Sequence, residues 1–315
     1  MKYISELTTG GSVNDIYLCR KKTTALTKAG KEYESLDLQD KTGNCDGKIW
    51  EPGSMGIDDY NEMDYVFVTG EVTEFQGKKQ INIKRLRKAK DGEYDPADYL
   101  PCSEYDADEM YQELMGIINS IKAPYMKTLL LQFFGDAEFE KRFKFHSAAK
   151  AVHHGFVGGL LEHTLGVTRN CEFFAEKYPI LDRDLLLTAA MFHDVGKLDE
   201  LSTFPQNDYT DEGQLLGHIM IGAMQVENAA SAIEGFPVVK RRELVHCILA
   251  HHGELEYGSP KKPALAEAIA LSFADNIDAK METMKEALRD VASNDMSWQG
   301  FNRPLDSNIR RTSQD

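Results

Sequence analysis

The chain has 315 residues, a net charge of −15 and 28% charged residues, the composition of a globular protein long enough for two domains. No apolar run approaches the ~20 residues of a membrane span and residues 1–15 contain no apolar signal core, so a cytoplasmic, membrane-free protein is expected. The five cysteines are widely spaced and form no Cys-x-x-Cys pair, which excludes a thiolate zinc site of that kind and argues for reduced thiols. The charge is uneven, with 15 basic and 17 acidic residues in 1–95 against 21 and 34 in the remainder.

Residues 1–90 read as strands. Asp15–Lys22 and Tyr33–Leu38 are rich in β-formers, and Asp40-Lys41-Thr42-Gly43 supplies turn chemistry before Ile49. Tyr65–Phe75 alternates, with Val66, Val68, Gly70 and Val72 on one face and Tyr65, Phe67 and Thr69 on the other. Gln76-Gly77 then turns the chain into Lys79–Leu86. Five short strands predict a small antiparallel barrel. Residues 91–105 mix Pro, Gly and charge and are expected to form a linker. From Asp106 the spacing becomes helical, predicting helices over 107–121, 124–134, 136–150, 160–177, 182–193, 217–233, 238–252 and 263–292. The tail, 293–315, is polar, and its bulky Trp298, Phe301 and Arg303 are expected to dock on the helices. The fold class is therefore multidomain α+β, a β-barrel over 1–90 followed by an all-α bundle over 106–292.

All nine histidines lie between His146 and His252. His163 shares the apolar face of its helix with Leu160, Val167, Cys171 and Phe174. The run Leu185–Phe192 is apolar on every side and ends in His193-Asp194. Ile248-Leu249-Ala250 runs into His251-His252, His218 opens a helix, and Asp275 lies mid-helix beside Ala268, Leu271 and Ser272. A buried aspartate needs a partner, and no surplus of Lys or Arg is at hand. A divalent metal resolves the conflict, and imidazole with carboxylate suits Mn, Fe, Co, Zn or Ni without choosing among them.

At these residues the chain resembles the HD phosphohydrolase superfamily, whose pattern is His, His-Asp, then Asp. Gly158-Gly159-Leu160-Leu161-Glu162-His163-Thr164 and His193-Asp194-Val195-Gly196-Lys197 are similar to its first two motifs, and His218 and His251 to the additional ligands of its two-metal members. Upstream, Leu36–Gly43, Lys48-Ile49-Trp50 and Val66–Val72 resemble a nucleic-acid-binding OB-fold. OB-fold and HD domain together resemble the family of YhaM-type 3′→5′ exoribonucleases over nearly the whole chain.

The resemblance implies that His163, His193, Asp194 and Asp275 hold one metal, and that Asp194 bridges to a second held by His218 and His251, with His252 beside it. Two such ions, Mn²⁺ first and Co²⁺, Fe²⁺, Ni²⁺ or Zn²⁺ as alternatives, would activate water and clamp a phosphodiester. Lys197 would contact a phosphate oxygen, and His153 and His154 the scissile phosphate or ribose. For the OB-fold, Tyr17, Trp50, Tyr65, Phe67 and Phe75 are candidates for stacking, with part of them in the barrel core. Lys78, Lys79, Lys84, Arg85, Arg87 and Lys88 are candidates for phosphate contacts. The expected activity is metal-dependent 3′→5′ hydrolysis of single-stranded RNA to nucleoside monophosphates, with single-stranded DNA also open and a homo-oligomer as one arrangement. Two other readings stand beside it. One is an HD-type phosphodiesterase or nucleotidase for cyclic or free nucleotides, although His251–Pro260 departs from the Gly-Tyr-Pro loop of the cyclic-di-GMP group. The other is a non-enzymatic nucleic-acid-binding replication-control protein.

Overall fold

A computed structural model describes residues 2–150, 154–289 and 291–313. The chain divides into two compact units, Met1–Pro101 and Cys102–Asp315.

The first unit is a closed barrel of β1 (Ser12–Leu26), β2 (Glu32–Asp40), β3 (Gly43–Ile49), β4 (Tyr65–Phe75) and β5 (Lys78–Lys88), in the order β1-β2-β3-β5-β4 and back to β1. This is the five-stranded Greek-key order of an OB-fold. The β3–β5 pair is parallel and every other pair antiparallel. A closed ring with an odd number of strands must contain a parallel neighbour, so the purely antiparallel expectation yields at that seam. Alternation sorts the faces: Val66, Val68 and Val72 point inward with Leu36, Leu38, Ile81 and Ile83. Gly70 sits at a bulge where a Cβ would overlap the Asn82 carbonyl, which is why this inward position carries no side chain. The segment expected as a linker contributes a short 3₁₀ turn, Pro96–Asp98, to this unit.

The second unit is helical: α1 (Ala107–Ser120), α2 (Pro124–Phe134), α3 (Ala137–Phe145), α4 (Gly159–Lys177), α5 (Arg183–Phe192), α6 (Lys197–Glu200), α7 (Asp211–Ala232), α8 (Val238–Ala250) and α9 (Ala266–Ala287). Asp106, Asp136, Asp182 and Thr210 cap α1, α3, α5 and α7 through their side-chain oxygens. α5 is buried from Leu185 to Phe192 and forms the middle of the core, between α4, α8 and α9.

Three helices depart furthest from expectation. α3 stops at Phe145 rather than 150, because His146 turns extended and both its ring nitrogens meet carbonyls, of Ser147 and Leu201. α7 begins at Asp211 rather than 217, and Gly217 (φ 72°, ψ 155°) kinks it, so His218 heads the second arm. α9 starts at Ala266 because the Ala264 N–H is taken by the His246 ring, and it ends at Ala287. The tail folds back as a hairpin, β6 (Phe301–Asn302) with β7 (Ser307–Asn308). It is anchored by buried Ile309 and by Arg311, which donates to the carbonyls of Leu288 and Val291. Trp298 and Phe301, expected to do the docking, remain exposed.

No helix among the described residues is long and apolar enough to cross a membrane. Cys19, Cys45, Cys171 and Cys247 are buried free thiols and Cys102 is partly exposed. Burial pushes Cys45 to about 11 and Cys19 and Cys247 to about 12, and raises Cys171 as well. Native protein at pH 8 should therefore be alkylated at Cys102 first, the other four reacting only after denaturation; peptide mapping by mass spectrometry reads this directly.

Candidate metal centre

Two helix ends deliver histidines by the same device. α5 ends at Phe192 and α8 at Ala250, and the next residue of each, His193 and His251, donates Nδ1–H to the carbonyl three residues back (Ala190 and Ile248) at 2.7 Å. The last carbonyls of a helix lack intrahelical donors, so the imidazole closes the helix and has its own tautomer fixed in return. A carbonyl can only accept. Nδ1 therefore carries the proton, and Nε2 of the neutral ring keeps its lone pair.

His163, His218 and His252 are likewise held through Nδ1. His252 Nδ1 meets the Tyr257 carbonyl at 2.7 Å, His218 Nδ1 meets Glu200 Oε1 at 3.0 Å, and His163 Nδ1 meets Asp278 Oδ2 at 2.7 Å. Carboxylate or carbonyl partners behind the coordinating ring are the usual support of a metal-binding histidine.

The Nε2 atoms converge on Asp194. On one side Oδ2 lies 3.4 Å from His163 Nε2 and 3.3 Å from His193 Nε2, and His163 Nε2 lies 3.3 Å from Asp275 Oδ1. The two Nε2 atoms themselves are 3.2 Å apart, two lone-pair positions that need a cation or proton between them. On the other side Oδ1 lies 3.4 Å from His218 Nε2 and 3.7 Å from His251 Nε2, and ligand atoms of His218, His251 and His252 fall within 4.8 Å of one another. Asp194 Oδ1, His218 Nε2 and His251 Nε2 are buried and make no hydrogen bond among the described residues. Three orphaned acceptors facing each other are costly in protein alone and are what a divalent cation requires, so this donor set fits metal on both sides of one carboxylate.

The electrostatics agree. Burial would raise Asp194, yet Lys197, His193 and His163 hold it well below the usual carboxylate range. Burial likewise opposes ionisation of Asp275, and the hydrogen bond and charge of His163 overcome it. His163 is itself buried, yet its hydrogen bonds to Asp194, Asp275 and Asp278 hold it well above the ordinary imidazole range, a proton standing where positive charge is demanded. Burial, with His252 and His193, pushes His251 well below that range, leaving it a neutral donor.

Of the residues expected here, His163, His193, Asp194, His218, His251, His252 and Asp275 come together. Lys197 Nζ sits 2.6 Å from Asp194 Oδ2. His154 is buried against the same cluster, its ring 5.1 Å from that of His163 and its Nε2 3.7 Å from Asp278 Oδ2. His153 lies outside the described residues.

Two participants escaped the sequence reading. Asp278 follows Asp275 at i+3, a spacing that puts both carboxylates on one face of α9 and was available as a signal. Glu200 gave none: it accepts from both the backbone N–H and the ring of His218, at 2.9 and 3.0 Å, across the α7 kink. Asp278→Ala is expected to cost ~10–100-fold in metal affinity by freeing the His163 ring, and Asp278→Asn to recover part of it; metal titration reads both.

The barrel candidates scatter in role. Tyr65 is a correction. Instead of offering a stacking platform it is buried, stacked on Tyr94 with centroids 3.9 Å apart and edge-on to Tyr99, because this end of the barrel wall packs on the chain that follows β5. Tyr17 is likewise core. Trp50 and Phe75 are exposed, and Phe67 lies partly exposed under the Arg87 guanidinium, 4.7 Å from its ring centre. Arg87 pairs with Glu93, Lys84 with Glu71 and Lys88 with Asp64, and Lys79 donates to the Leu7 carbonyl. Lys78 and Arg85 are exposed and form no ion pair among the described residues.

Comparison with known proteins gives the same division. The HD domain family matches residues 160–280. The 3'-5' exoribonuclease YhaM of Bacillus subtilis (strain 168) is 33% identical over 286 residues, covering 90% of this chain and 89% of that protein. The chain belongs to the YhaM family. A second YhaM, from Geobacillus sp. (strain WCH70), is 34% identical over 285 residues, covering 89% of this chain and 86% of its own length. The HD domain implies divalent-metal dependence, and in this YhaM-family chain the histidine and aspartate clusters are the groups suited to it. Among solved structures, the second OB-fold domain of replication protein A from Methanococcus maripaludis matches 28% of the chain and 94% of that domain at 26% identity, with a TM-score of 0.21. The barrel assignment rests on strand order.

Proposed function

We propose that this chain is a metal-dependent 3′→5′ exoribonuclease that releases nucleoside monophosphates from single-stranded RNA. Its relatives over nine-tenths of the chain bear that activity in their name. The observation that carries the reading is the set of inward lone pairs on both sides of Asp194. His163, His193, Asp194 and Asp275 would hold one divalent cation, and Asp194, His218, His251 and His252 a second. Such a pair lowers the pKa of water and screens the charge that builds on a phosphate under in-line attack; Mn²⁺ is the first candidate, with Co²⁺, Fe²⁺, Ni²⁺ and Zn²⁺ behind it.

The protein's own groups do the rest. Lys197 offers an ammonium to a non-bridging phosphate oxygen, and the buried His154 stands ready to hold the phosphate or ribose beside it. The barrel supplies single-strand affinity through Lys78 and Arg85, which form no ion pair among the described residues, with Phe67, Trp50 and Phe75 as stacking faces. The setting we propose is the cytoplasm.

A homo-oligomer has support in the second unit. Phe173 on α4 and Tyr178 and Ile180 just beyond it, with Ile269, Phe273, Ile277 and Met281 along the neighbouring α9, are large apolar side chains left exposed. Together they present on the order of the ~800 Å² that one partner contributes to a standard interface. A second copy of the chain is the occupant we assign, and Phe273→Glu should shift the mass in light scattering to that of the monomer.

Incubation of unlabelled single-stranded RNA with the full chain and Mn²⁺, followed by chromatography, should yield nucleoside monophosphates, and none with EDTA. Oligonucleotides as the end product would contradict the exonuclease reading. A matched DNA strand settles sugar preference in the same run.

A further inference from the structure

Beside the metal centre lies a cavity of about 430 Å³ lined by Asp194, Lys197 and His252 and also by Tyr257, Asn276, Lys280 and Pro304. The first three account for a phosphate. The other four are chemically different and have no part in the reaction described so far. Tyr257 leaves 61% of its surface exposed, and its backbone carbonyl, not its ring, is what holds His252. Asn276 is an exposed amide with both donor and acceptor to offer. Lys280 is exposed and, among the described residues, pairs with no carboxylate. Pro304 comes from the turn of the C-terminal hairpin, between β6 and β7, and contributes an apolar wall.

We propose that this cavity seats the 3′-terminal nucleoside of the substrate, with Tyr257 stacking its base, Asn276 meeting a base or ribose edge and Lys280 drawing in the strand. The proposal rests on the Asp194 centre taking phosphodiesters. A cavity of this size holds one small ligand rather than a length of strand, which suits removal of one nucleotide at a time. An exposed ring with an amide and an exposed ammonium is the equipment used for unstacked bases, which are sequence-tolerant stacking partners. A duplex end keeps its terminal base stacked and paired, so the seat also selects for an unpaired 3′ end.

The test is calorimetric binding to the full chain with Mn²⁺, comparing adenosine 5′-monophosphate with ribose 5-phosphate, which shares the phosphate and sugar but has no base. Wild type should bind the nucleotide at least ~10-fold more tightly. Tyr257→Ala should bring the two ligands together, Tyr257→Phe should keep the difference, and Lys280→Ala should weaken both. Equal affinity in wild type, or an unchanged ratio in Tyr257→Ala, overturns the seat. Binding is read independently of cleavage, so a preserved base preference in a protein that degrades no RNA would overturn the exoribonuclease reading and leave the seat standing. Melting curves confirm that each variant folds, as expected for exposed side chains.

Discussion

Asp194→Asn should abolish hydrolysis, by at least ~10³-fold or roughly 4 kcal/mol of barrier, while RNA binding persists. The amide keeps the shape of the carboxylate but loses the charge that four imidazoles and an ammonium surround. His163, His193, His218 and His251 all approach Asp194 within 3.7 Å, and Lys197 pairs with it at 2.6 Å. Its two oxygens face the two halves of the centre, so metal content should fall from the two proposed ions per chain to one or none. Elemental analysis of purified protein, beside a filter-binding curve for labelled RNA, separates this outcome from loss of fold. Retained activity with two bound metals would remove Asp194 from the bridging role. A loss of RNA binding in the same variant would place affinity at the metals rather than on the barrel.

Gly196→Ala should destabilise the helical unit by roughly 3–5 kcal/mol and lower its melting temperature by about 10 °C. Gly196 has ordinary helical dihedrals, so the backbone itself would accept alanine. Space forbids it: a Cβ would overlap the His218 carbonyl oxygen and crowd the Gly222 amide, both backbone atoms of α7 that have no side-chain freedom to yield. The contact that excludes a methyl group is the one that brings the second arm of α7, and His218 at its head, against the turn carrying His193 and Asp194. Activity should therefore fall more than stability does at temperatures where the variant is folded. Gly116→Ala in α1 is the opposite case. Nothing lies within 4 Å of its Cβ position, so alanine there should stabilise by up to ~1 kcal/mol through helix propensity and a less flexible unfolded chain. Two glycine-to-alanine changes with opposite signs, measured by thermal denaturation, test the packing geometry rather than the residue type.

The candidate metal ligands were legible because each obeys a local rule. An apolar helix that ends in His-Asp or His-His has its last side chains aimed where the buried helix points, and periodicity alone places His163 and Asp275 on inward faces. Alternation in Tyr65–Phe75 similarly revealed which valines line the barrel. What stayed hidden depends on pieces distant in sequence. Glu200 belongs to a four-residue helix too short to show a period, and its partner His218 is reached only across the Gly217 kink. Tyr65 stands on the outward face by alternation, and only the return of Tyr94 and Tyr99 buries it. The start of α7 was misplaced for a related reason: Asp211–Leu216 is a polar first turn with exposed leucines, so its helical character comes from the Thr210 cap and not from an apolar stripe.

The most direct test is a time course on RNA labelled at its 5′ end, incubated with the full chain and Mn²⁺ beside an EDTA control. A ladder that shortens stepwise toward the labelled end, absent with EDTA and absent for Asp194→Asn, is the predicted result. Release of the labelled nucleotide at the earliest times, or cleavage that survives EDTA, would contradict metal-dependent attack from the 3′ end.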